Sequence, residues 1–352
     1  MKTFAAILLV GLAASLGLSG RPVAAAEALR SFAVPGSRGA PTRLVIDRSD
    51  TVWFIMSGTH QIASFDPVRE SFSLYDLPTP RSAPADLAVD VSGRLWIAES
   101  DANQVGVFDP RTKSFREHDV PTQGSLPARI ATDAQGRVWF TEFYGNKIGQ
   151  FDARREVFRE FAIPRAETRP SGVVVSRRGL VWFVETQGNR LVRLEPKDGS
   201  MRAFELPTAF ESPRDLAIDR AGVLWFGGHI GRKLLSFDPS NSRFASHELP
   251  GGGVIESLVV AGDGKICYTL KTSNRVGVYD PVDKTFLEMD AGPGKGRPAG
   301  IGTDSRGNIW FADTHRNALV RIERTAILGL RMNSRRAAGS SPTGRTARAE
   351  GS

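Results

Sequence analysis

One cysteine, four tyrosines and five histidines in 352 residues leave little room for several common chemistries. Cys267, standing alone, excludes an intramolecular disulfide framework and any multi-cysteine zinc or iron–sulfur site. No phosphate-binding loop, metalloprotease motif or Cys/His ligand spacing occurs, and no Ser/His/Asp order marks a hydrolase triad. Beyond Leu18 there is no apolar run near the ~20 residues needed to cross a bilayer. The body also lacks charge of one sign. The net charge is +8, yet residues 1–26 carry Lys2 and Arg21 with no acid, and 324–352 carry six Arg and one Glu. That leaves 27–323 at +1, which argues against nucleic acid as a partner.

The ends differ from the rest. Residues 1–26 read as a signal peptide, with Lys2 as the charged start, Phe4–Leu18 as the apolar segment and Ala24, Ala25 and Ala26 as the small residues before cleavage. An uncleaved anchor is the alternative, but the apolar segment is short for it. No cysteine follows Leu18 for lipid attachment. The mature chain is therefore expected to be periplasmic or secreted, without a membrane span. Residues 324–352, rich in Arg, Ala, Gly and Ser, are expected to form a disordered basic tail.

What the sequence has in quantity is Gly (36), Pro (21), Phe (20) and Trp (6), a mix suited to short strands and turns. These residues recur with a period. Trp53, Trp96, Trp139, Trp182, Trp225, Cys267 and Trp310 are spaced by 43, 43, 43, 43, 42 and 43 residues. Glycine usually precedes this anchor by three, and asparagine usually follows it by seven, as in Gly136 and Asn146. Each repeat parses into four strands, a to d, the pattern of a propeller blade. The fold expected is all-β, a seven-bladed β-propeller over 27–323. Its last repeat lacks strand d, and Leu29–Pro35 matches the missing piece, so the N-terminal strand should close the ring. Stacked solenoid repeats are the rival architecture, but they are usually shorter and would not explain this offset.

Antiparallel strands bring the start of strand a and the end of strand b to one face. The first set is Thr42, Ala85, Ala128, Ser171, Arg214, Glu256 and Ala299; the second is Met56, Glu99, Glu142, Glu185, Gly228, Leu270 and Asp313. Glu99, Glu142, Glu185, Glu256 and Asp313 should converge around the channel, where carboxylates hold a cation or raise one another's pKa. The competing reading makes them hydrogen-bond acceptors between blades. His229 and His315 follow strand b and fall near the same rim, and Arg214 stands beside it.

Pro127-x-x-Ile130-x-x-Asp133-x-x-Gly136, then Trp139-Phe-Thr-Glu142 and Asn146-Lys-Ile-Gly149, resembles the repeat of the virginiamycin B lyase (streptogramin lyase) family over essentially 29–323. That resemblance implies elimination across the ester of a cyclic depsipeptide, with a magnesium ion, histidines and a glutamate at the channel mouth. Carried over, Ala299 and Glu256 stand at the two histidine positions and Asp313 at the glutamate position. Alanine accepts no proton, so the usual elimination lacks its base. Glu256, Asp313 and His315 are the candidate catalytic groups, and Glu256 and Asp313 the candidate magnesium ligands. Glu99, Glu142, Glu185, Arg214 and His229 are candidate ligand contacts.

Two readings follow: a metal-assisted lyase acting on a small cyclic, ester-containing or sugar-like substrate, or a non-catalytic propeller binding a small molecule, peptide, glycan or protein in the cell envelope. A calcium-binding, lactonase-like propeller is a third and weaker reading. A monomer is expected.

Overall fold

The computed structural model describes residues 29–329 apart from 210, 229 and 231, and an aspartate six residues before the tryptophan organises most of its repeats. In the third blade Asp133 accepts backbone N–H bonds from Gln135 and Arg137 with one oxygen. Its other oxygen accepts the Trp139 indole N–H at 3.0 Å and pairs with Arg137. Gly136, at φ +79°, takes the left-handed turn position that a side chain would strain. The turn between strands a and b thus also fixes the ring that fills the core. The same indole bond joins Trp53 to Asp47, Trp96 to Asp90, Trp225 to Asp219 and Trp310 to Asp304. The fourth blade has Ser176 there, whose hydroxyl accepts the Leu180 N–H.

The strands form seven four-stranded antiparallel sheets. In the third blade they are Pro127–Thr132, Arg137–Glu142, Lys147–Asp152 and Val157–Ala162. Asn103, Asn146, Asn189, Asn274 and Asn317 are left-handed at the turn between strands b and c, as their position after the anchor suggests. They also clamp the connector to the next blade. Asn146 Nδ2 donates to the Ile163 and Arg165 carbonyls, while its Oδ1 accepts from Thr168 N–H and hydroxyl.

Apolar side chains gather in clusters that straddle neighbouring blades. Trp139 and Phe161 of the third blade pack with Val173 and Phe183 of the fourth, for example. The ring closes as expected. Leu29–Ala33 pairs antiparallel with Ala318–Ile322, Leu29 opposite Ile322 and Ala33 opposite Ala318. Phe32 then stacks on Trp310 at 5.6 Å and touches Phe65 of the first blade at 4.6 Å.

The first residues of the expected disordered tail are ordered. Residues 324–329 are helical, and Ile327 is buried beside Cys267, Ile309 and Ile322. Cysteine is far smaller than the tryptophan of other blades, and Ile327 supplies apolar volume near it. The rest of the tail and the leader at 1–26 lie outside the described residues. Among the described residues no helix is long and apolar enough to cross a membrane.

Candidate functional site

Strand a does not enter the sheet regularly. In the third blade Pro127 faces Glu142, but Arg129 already faces Thr141, so one extra residue bulges at Ala128. Similar shifts occur at the start of strand a in blades 1, 2, 4, 6 and 7. A bulge breaks the two-residue alternation and re-aims the side chains around it. Here it brings a second ring of side chains to the channel, ten residues before each anchor.

That ring reads Arg43, Asp86, Arg129, Gly172, Asp215, Ser257 and Gly300. Arg43 of the first blade reaches across the channel to Asp215 of the fifth at 2.9 Å and to the Ser257 hydroxyl at 3.0 Å. The same Asp215 oxygen accepts from the Ser257 hydroxyl and the Leu258 N–H. Asp86 accepts the Ile130 N–H of the next blade. Burial raises the Asp86 carboxyl. It would raise Asp215 also, but Arg43 and Arg129 outweigh it and hold that carboxyl below its ordinary value. Gly300 lacks a side chain for a steric reason: a Cβ there would lie 2.4 Å from the Thr42 carbonyl oxygen. Sequence reasoning took one residue per strand start and so missed this ring, since the repeat spacing does not reveal the bulge. The available signal was the run of charge at one repeat position inside an otherwise apolar strand.

The carboxylates at the end of strand b do not gather around the channel. Glu99, Glu142, Glu185 and Asp313 are fully buried within the blades, beneath the turn into strand c. Glu185 is held by Arg190 through two bonds of 2.6 and 3.0 Å. Asp313 accepts the N–H groups of Arg297, His315 and Arg316 and pairs with the Arg316 guanidinium. Glu99 and Glu142 have a serine hydroxyl beside them, Ser82 and Ser125, but burial outweighs it and pushes both carboxyls up to about 7. The expected convergence of five acids at the mouth is thus corrected to one, Glu256. His315 is exposed on the loop beside Asp313 and is joined to it only through its backbone. Arg214 is exposed at the start of strand a in the fifth blade, and His229 lies outside the described residues. His118 and His247, in the d strands of blades 2 and 5, are half-buried; His247 meets the Tyr279 hydroxyl at 3.0 Å.

Glu256 lines a cavity of about 260 Å³ between blades 1, 6 and 7, with Thr42, Arg43, Lys271, Arg297 and Thr314. Ala299 forms part of its wall. Lys271 Nζ donates to Glu256 at 2.9 Å. Burial pushes the Glu256 carboxyl up, but Lys271, with Arg43 and Arg129, outweighs this and leaves it below its usual range. The pocket therefore holds an ionised acid already matched by a cation, with further cations beside it.

The model of the virginiamycin B lyase family matches residues 19–253. Among solved structures, a streptogramin B lyase superposes with a TM-score of 0.79 at 23% identity, covering 84% of this chain and 97% of its own. Selenomethionine-substituted virginiamycin B lyase from Staphylococcus aureus gives 0.78 at 23%, covering 84% and 98%. A catalytically inactive histidine-to-alanine variant from the same organism, with quinupristin, gives 0.78 at 22%, with the same coverage. Identities this low establish the shared fold. No curated protein matches.

Proposed function

The chain belongs to the virginiamycin B lyase family, and from that premise we propose that it is a ligand-binding propeller, exported by its leader, that takes a small polar molecule at the channel mouth and does not open streptogramins. The observation that carries this reading is the state of the mouth's ionisable groups. Glu256 is paired with Lys271, Asp313 is consumed by the turn it caps, and Ala299 offers no base. A histidine-to-alanine change accompanies inactivity in the staphylococcal variant; here the position that the family resemblance gives to a histidine is alanine from the outset.

The residues present do not fit the magnesium ion that the resemblance implies. Among the described residues no three His, Cys, Asp or Glu side chains are grouped to hold a metal. Glu256 and Asp313 each already have a cationic partner that a metal would have to displace. A second reading rests on the Glu256–Lys271 pair itself, a carboxylate and an ammonium facing one cavity, which is the equipment for proton transfer on a different ester-containing or sugar-like substrate.

Incubation of the purified protein with quinupristin and magnesium should give no linear product by chromatography; rapid ring opening would reinstate the family lyase. A mixed set of neutral and charged fragments should shift the amide resonances of Thr42, Ala299 and Thr314 in NMR spectra. If no fragment moves these three, the pocket is not the binding site.

A further inference from the structure

We propose that the channel-mouth pocket selects a small organic acid, a monoanionic carboxylate that also carries a hydroxyl or amine. The inference deepens the binding function proposed above and rests on it.

The repeat shows which residues of this pocket have no structural task. Four residues after the anchor, Ser100, Thr186 and Thr314 donate their hydroxyls to carbonyls of the next blade, those of Pro127, Pro213 and Pro41. The sixth blade has Lys271 at that position. Its interblade bond has moved to Thr269, whose hydroxyl reaches the Ala299 carbonyl at 2.6 Å. Lys271 is thereby released to face the cavity. The start of strand a tells the same story. It is small or short in most blades (Thr42, Ala85, Ala128, Ser171, Ala299) but is Glu256 in the sixth. Both departures from the repeat meet in one pocket, in contact with each other.

The spare bonding capacity there is mostly donor. Arg43 is committed to Asp215 and Ser257. The Arg297 guanidinium, on the pocket wall, has no hydrogen bond or ion pair among the described residues. Lys271 has two N–H groups beyond the one given to Glu256. Three cations and one anion thus line the cavity, so a ligand carrying one negative charge moves the site towards neutrality. A guanidinium offers the forked donor geometry that suits a carboxylate. Glu256 contributes the only carboxylate of the lining. Its free oxygen repels a second negative charge close by and accepts from a hydroxyl or amine on the ligand.

The test uses lactate, malate and mandelate against the amides of the same three acids, with the amide resonances of the full mature chain followed in NMR titrations. Lactate and mandelate should bind at the pocket about tenfold or more tightly than their amides, as a charge-assisted bond requires. Added salt should weaken them, because the pocket opens to solvent. Arg297→Gln, at an exposed residue with no side-chain partner, should erase the acid-over-amide preference without altering the melting temperature. Lys271→Met should weaken the acids while Thr269 keeps the blade interface intact. Amides that bind as well as the acids would overturn the charge selection and leave the pocket as a binding site. Acids that fail to shift the pocket when neutral fragments do shift it would also overturn the inference. If neither set shifts it, the inference falls together with the binding function itself.

Discussion

At the scale of single residues, the repeat is written in polar groups that hold backbone. Asp133 engages two N–H groups, the Trp139 indole and Arg137. Asp133→Ala should therefore lower unfolding free energy by about 1–3 kcal/mol in urea, with a smaller loss for Ser176→Ala. Glu142 behaves oppositely. Its carboxyl is fully buried, and that burial outweighs the neighbouring Ser125 hydroxyl and pushes it up to about 7. The folded protein then binds a proton that the unfolded chain has already lost, so stability falls as pH rises from about 4.5 to about 7. Glu142→Gln should be more stable than the parent at about pH 8, by up to about 3 kcal/mol, and equal to it near pH 4. Equal pH profiles for the two proteins would show the carboxyl to be solvated. The tryptophan spacing and the turn asparagines were legible in the sequence because each recurs with the repeat. The direction of the strand-b acids was not, because a residue's place at the end of a strand does not say whether its side chain faces the channel or the blade interior.

At the scale of elements, the two ends of the ring are built differently. The N-terminal strand was legible, since Phe32-Ala33-Val34-Pro35 repeats the end of other d strands, and it pairs as that match requires. The short helix at 324–329 was hidden by its composition, which resembles the tail that follows. Its place depends on what the sixth blade lacks, a tryptophan at Cys267. Ile327→Ala should cost about 2–4 kcal/mol, as a buried aliphatic truncation does. Truncation after residue 329 should leave the melting temperature unchanged, whereas truncation after 323 should lower it as Ile327→Ala does. Identical melting curves for the two truncations would show that the helix adds nothing to the ring.

At the scale of the whole molecule, the channel is a joint between blades that are not neighbours. Arg43 ties the first blade to the fifth across the ring, and Ser257 brings in the sixth. Removing one partner of a buried ion pair strands the other, which costs about 3–5 kcal/mol, whereas replacing both with apolar residues is often neutral. Arg43→Met and Asp215→Leu should each destabilise strongly, and the double variant should recover most of the loss in a denaturant cycle. Additive losses would mean that the two charges are independently solvated. Seven blades and their closure could be read from periodicity alone. The channel's contents could not, since each charge belongs to a different repeat and only the closed ring brings them together.

The seam has a consequence for how the chain comes into being. Leu29–Ala33 is synthesised ahead of every other strand of the ring, and its partner Ala318–Ile322 after all of them. Throughout elongation the opening strand has no edge to join, while six blades can assemble ahead of the seventh. Closure is therefore a late event of high contact order, and until it happens both the orphan strand and the bare edge of the seventh blade can pair with other chains. The vulnerable period of this protein is its making, and ring closure removes that exposed edge.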